Sequence, residues 1–263
     1  MDFLLECIGF PPQTDLSGLV STVLENGEPV AWRGPSGVHL RYPLGNGLEV
    51  RLDREEDEEH WNLWPWFDAK RRIRVAVNAI RKIEDSPFDV LLNGIANPPP
   101  PGANDFENLG EDYPIAACLG DARRLPRKVQ PGHVLAISIA GFALDVEYVG
   151  PNEGVKSRAI LEDPRGASLV PIGGADFPGG AMDVSLRIRA VRRARNPLTD
   201  VEVDILEVDA PGRPLELFVS KWQLEEEGLE APRPGWRVEG VFFFSGRVSG
   251  GLPAKAARSN DFG

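Results

Sequence analysis

Through the C-terminal third of this chain, apolar residues recur at every second position. The runs are Val184-Ser-Leu-Arg-Ile-Arg-Ala-Val191, Val201-Glu-Val-Asp-Ile205, Leu215-Glu-Leu-Phe-Val219 and Trp236-Arg-Val-Glu-Gly-Val-Phe-Phe-Phe244, with turn-forming residues between them. A period of two sends alternate side chains to opposite faces of an extended chain, one toward a core and one toward water. Several short strands of this kind predict a small β-barrel of OB-like or related topology.

The N-terminal part predicts an antiparallel meander with short helices. Residues 2–8 read as one short helix ended by Gly9 and Pro11-Pro12. Leu19–Leu24 and Val30-Ala-Trp32 read as strands joined by Asn26-Gly27, a dipeptide suited to a type I′ hairpin. Val38, Leu40 and Tyr42 alternate with His39 and Arg41, and Leu48-Glu-Val-Arg-Leu52 follows Gly45-Asn-Gly47. Pro65 interrupts any continuous helix through His60–Phe67. Ile73–Val77 reads as a strand that could turn helical between Val75 and Ile83, and Phe88–Leu92 as a further strand. The stretch from Asn97 to Asp112 is expected to be a long loop.

Composition shifts near Leu125-Pro-Arg-Lys128, which places a domain boundary there: residues 1–127 as a β-rich α+β domain, 128–250 as the barrel, and 251–263 as a flexible tail. Pro-Gly at 131–132 and again at 234–235 opens an apolar run. The runs lose register after the glycine, so the sequence favours two unrelated turns over a repeat.

With 42% hydrophobic and 26% charged residues, the chain can bury a core and is unlike a disordered one. A formal net charge of −11 disfavours nucleic acid and anionic membrane surfaces as partners. Cys7 and Cys118 are far apart and in no metal-like spacing, which predicts reduced, buried thiols. Neither a signal peptide nor an apolar run of spanning length is recognised, so a soluble, cytoplasmic protein is expected.

Three groups of residues carry candidate chemistry. Trp61, Trp64 and Trp66 follow the acidic run Asp53–Glu59 and would suit either a core or a protein interface. His39 and Glu49, on the polar faces of neighbouring strands, could meet across the hairpin as metal ligands with His60. Tyr42–Glu49 loosely resembles the turn-then-Glu segment of small βαβββ metalloenzymes, whose matching second histidine is missing here. Arg187 and Arg189 begin a basic stripe that could hold a single strand, although Glu202, Asp204 and Glu207 on the next strand could neutralise it.

No nucleophile elbow, phosphate loop, zinc-protease helix or C-x-x-C occurs. The leading expectation is therefore a cytoplasmic binding or protein-interaction protein whose partner is another protein or a second copy. The alternatives are a divalent-metal enzyme using His39 and Glu49, for which the metal would be the cofactor, and single-stranded nucleic-acid binding on the barrel.

Overall fold

The structure, a computed structural model, describes residues 2–30, 37–56, 58–68, 71–83, 86–99, 112–122, 125, 128–150, 166–173 and 179–249. It is β-dominated, with two sheets. The four-stranded sheet has the order β1 (Glu28–Pro29), β2 (Gly37–Gly45), β3 (Leu48–Glu55), β4 (Asn62–Phe67). The nine-stranded sheet contains β5 (Ile73–Ile83), β6 (Ser86–Ala96), β7 (Tyr113–Leu119), β8 (Val134–Val149), β9 (Ser168–Pro171), β10 (Ala181–Arg195), β11 (Glu202–Asp209), β12 (Leu215–Ser220) and β13 (Arg237–Val248). A 3-10 helix spans Asp2–Ile8, and two α-helices, α1 (Leu16–Asn26) and α2 (Lys221–Glu226), complete the elements.

The hairpin expected around Asn26-Gly27 is instead the end of α1. Leu16, Leu19, Val20 and Val23 recur at helical spacing, and the Asp15 side chain caps the first turn by accepting from the Ser17 amide at 3.1 Å. Gly27 has φ −73°, which a type I′ turn does not allow, and its amide donates to Val23 O at 2.8 Å. Trp32 lies outside the described residues. Pro65 does exclude a helix, but it sits within β4 at the sheet edge, where a missing N–H costs no ladder bond. The helical alternative for Val75–Ile83 is also replaced by strand. β7 was not legible as a strand, because Pro-Ile-Ala-Ala-Cys-Leu is apolar on both faces and shows no alternation. Residues 100–111 of the expected long loop and the tail at 251–263 fall outside the described residues.

Strands β8 and β13 form one long antiparallel ladder that runs through the body. At one end, β8, β5, β6, β7 and β13 close a ring; at the other, β13, β10, β11, β12 and β8 close a second. Each ring has a three-strand meander whose first strand pairs antiparallel with one member of the shared ladder and whose third pairs parallel with the other. The two halves repeat in detail. Val77 skips to Ala79 opposite β6, and Ile188 skips to Ala190 opposite β11. Gly132 N donates to Val77 O at 2.7 Å and Val77 N to His133 O at 2.8 Å; Gly235 N donates to Ile188 O at 2.8 Å and Ile188 N to Trp236 O at 2.7 Å. Both glycines need positive φ, +85° and +90°. The two Pro-Gly turns are therefore equivalent parts of an internal duplication, which corrects their reading as unrelated. The sequence trace is Ile73, Val75, Val77, Ala79, Ile80, Arg81 and Lys82 against Val184, Leu186, Ile188, Ala190, Val191, Arg192 and Arg193.

The position expected for the domain boundary, 127/128, falls between β7 and β8, inside the nine-stranded sheet. The four-stranded sheet, the 3-10 helix and α1 come from residues 2–68. One core, including Leu119, Ile139, Leu217, Phe242 and Phe244, fills the rings. A second joins Leu4, Ile8, Leu48, Val50, Leu52 and Phe67 to the outer face of the rings through Phe142, Phe218 and Phe243.

Candidate functional site

The four-stranded sheet has two unlike faces. Leu48, Val50 and Leu52 on β3, with Leu63 and Phe67 on β4, make an apolar face within the second core. The alternate positions carry His39, Arg41, Glu49, Arg51, Asp53, Trp64 and Trp66, a pattern that periodicity assigns to solvent. In the structure this face is buried as well. Arg51, Asp53 and Asp89 are each 1% exposed, His39 5% and Glu49 4%.

Arg51 is the centre of the layer. Its Nη2 donates to Asp89 Oδ2 on β6 at 2.8 Å, and its Nε lies 2.7 Å from Asp53 Oδ2, a charge contact without the direction of a hydrogen bond. The guanidinium lies 4.8 Å from the Trp66 ring centroid and 5.3 Å from that of Trp64. Ser86 Oγ donates to Asp89 Oδ2 at 2.5 Å, and His39 Nδ1 contacts Asp53 Oδ1 while its ring stacks on Phe88 at 5.2 Å. Burial alone would pull the Arg51 pKa down, but Asp53 and Asp89 outweigh it and hold the group charged. Burial, reinforced by Asp89, pushes the Cys118 thiol well above its ordinary value. Burial likewise raises Cys7, whose Sγ donates to Ala143 O at 2.7 Å.

Gly120 makes room for the layer: a Cβ there would lie 1.6 Å from Arg51 Nη1 and 2.5 Å from the Trp66 ring. Nearby, Glu49 faces Arg41 at 3.4 Å and Arg247 at 3.5 Å, and Arg41 also pairs with Glu28 at 2.7 Å. Burial raises the Glu49 pKa against the pull of those two arginines.

The residues expected to form a metal site are not brought together. His39 is paired with Asp53, Glu49 lies opposite Pro43 beyond the Arg41/Arg51 pair, and His60 is exposed. Among the described residues, no group of three or more His, Cys, Asp or Glu side chains is arranged to hold an ion. Trp64 and Trp66 are buried, Trp64 stacking on Phe243 at 6.2 Å, while Trp61 is half-buried with Arg54 at 4.2 Å from its ring centroid. Arg187 lies opposite Asp209, and Arg189 pairs with Asp209 at 3.2 Å. Further along β10, Arg192 reaches Glu216 at 2.6 Å, Arg193 reaches Asp204 at 3.2 Å and Arg195 reaches Asp200 at 3.0 Å.

Sequence reasoning missed Arg51, Asp53, Asp89, Ser86 and Cys118. A signal was present: Trp64 pairs across the ladder with Arg51, and Trp66 with Glu49. A strand face carrying two tryptophans is a poor solvent face, so its charged neighbours were candidates for burial.

No family model matches the chain. Among solved structures, the cytoplasmic molybdate-binding protein ModG, in a crystal form with molybdate bound, aligns over 70% of this chain and 99% of its own, with 13% identity and a TM-score of 0.33. A likeness that remote assigns neither fold nor ligand. Among the described residues, no helix is long and apolar enough to cross a membrane.

Proposed function

We propose that this chain is a non-enzymatic cytoplasmic binding or protein-interaction protein, in which each ring is a small OB-like barrel and the first 68 residues are a cap fastened to the pair. The observation that supports this most is the state of the central ionisable groups. Arg51, Asp53, Asp89 and His39 are paired by charge in a buried layer, within which Asp53 Oδ2 and Asp89 Oδ1 accept no hydrogen bond among the described residues. Carboxylates that are 1% exposed and face a buried guanidinium are out of reach of a substrate, so the layer acts as a joint. Binding then falls to the parts of the rings' outer faces that the cap leaves exposed.

Elemental analysis of freshly purified protein, with thermal unfolding before and after a chelator, tests the reading. The expected result is no stoichiometric metal and an unchanged Tm. A bound divalent ion whose removal lowers Tm would overturn it in favour of the metal enzyme.

A further inference from the structure

The duplication provides an internal control for charge on the outer faces. In the second half, the outer β10 arginines Arg189 and Arg192 are neutralised by Asp209 and Glu216. The first half keeps cations on its corresponding strand, since Arg81 and Lys82 align with Arg192 and Arg193. The outer neutralising partners are gone: Ile95 and Ala116 occupy the positions of Asp209 and Glu216.

Arg72, Arg74 and Arg81 lie on the outer side of β5 and its N-terminal approach, and all three are exposed. Among the described residues, none of them has a carboxylate within ion-pair distance. Half-exposed Leu91, Asn93 and Ile95 of β6 lie beside them on the same face. In a protein of net charge −11, this is a segregated basic stripe bordered by apolar and amide groups.

We propose that the outer face of β5 and β6 docks an extended acidic peptide segment of a partner protein, which rests on the binding reading above and gives its partner a chemistry. Arg72 and Arg74 are two residues apart, about 6.6 Å along an extended chain, and carboxylates at alternate positions of an extended peptide repeat at the same interval. The side chains between them would point away from the sheet, so the alternate carboxylates carry the contact. A nucleic-acid strand fits less well: single-strand binding uses aromatic platforms, and the outer positions of β5, β6 and β7 carry none among the described residues.

The test is fluorescence anisotropy with a labelled peptide of alternating Glu and Val, about ten residues long to span β5, against the full chain. Binding is expected to weaken with added salt and to fall about tenfold or more in the triple variant Arg72→Ala/Arg74→Ala/Arg81→Ala. The matched variant Arg189→Ala/Arg192→Ala in the second half is expected to bind as the parent does. Circular dichroism confirms folding, since every substituted side chain is exposed. Absence of binding to the parent, equal loss in both variants, or tighter binding of an oligothymidylate than of the peptide would each overturn the proposal. Such a failure in a metal-free protein leaves the general binding reading standing, whereas a stoichiometric metal removes that reading first.

Discussion

The two halves of the ring-like sheet share one ladder geometry but meet the cap through opposite chemistry. In the first half, Asp89, Cys118 and Gly120 underlie Arg51 and its tryptophans. The equivalent positions of the second half are Val203, Phe218 and Ser220. There the 3-10 helix lays Leu4, Leu5 and Ile8 into the second core, and Asn196 Nδ2 ties its end by donating to Ile8 O at 3.0 Å. The cap therefore closes its part of one outer face by charge and its part of the other by apolar packing. Apolar packing tolerates small errors in position, whereas a buried ion layer is stable only if every member is present. The first half should accordingly be the more fragile junction.

The sharpest break is Arg51→Ala. Removing the guanidinium leaves Asp53 and Asp89 buried with reduced compensation, and a loss of about 4 kcal/mol is expected in urea unfolding. Reciprocal exchange at the matched pair Gly120 and Ser220 comes next. Gly120→Ser drives a side chain into Arg51 and Trp66 and should cost about 2–3 kcal/mol. Ser220→Gly changes the N-cap of α2, where Ser220 Oγ accepts from the Trp222 amide at 3.1 Å, and should cost only a few tenths of a kcal/mol. Equal costs would dissolve the distinction between the halves.

Glu49 gives a smaller, pH-dependent effect. Its pKa is raised in the folded state by burial, so its contribution is fully present below the unfolded value of about 4.3 and is lost as pH rises through the folded value. Glu49→Gln should therefore gain stability relative to the parent as pH increases through that window, read from Tm across the series. A gain that grew as pH fell would reverse the sign. The smallest effect belongs to the second half's surface pairs: Arg195→Ala, which opens an exposed contact with Asp200, should change stability by less than about 1 kcal/mol.

Much of the ring-like sheet was legible because its strands alternate. β10, β11, β12 and β13 lie over the runs that periodicity marks, extended by a few residues. What failed did so for identifiable reasons. Leu19–Leu24 is apolar enough to pass for strand, but Asp15 supplies the cap that makes it helix. The duplication was hidden because β11 is followed by a short connection and its counterpart β6 by a long one, so equal strands are unequally spaced. The charge layer was invisible to alternation itself, which distinguishes the two faces of a strand but cannot say that a second sheet covers the polar one. Arg51 reads as solvent-facing in sequence, and Asp89, from a separate sheet, joins Asp53 in making its burial tolerable.

The most direct test is a double-mutant cycle on the Arg51–Asp89 pair, using Arg51→Met and Asp89→Leu and unfolding each variant in urea. If the layer is a mutually dependent joint, the double variant should be at least about 2 kcal/mol more stable than the sum of the single losses predicts. Losses that add to within about 0.5 kcal/mol would contradict it, because the two charges would then be held independently across the junction.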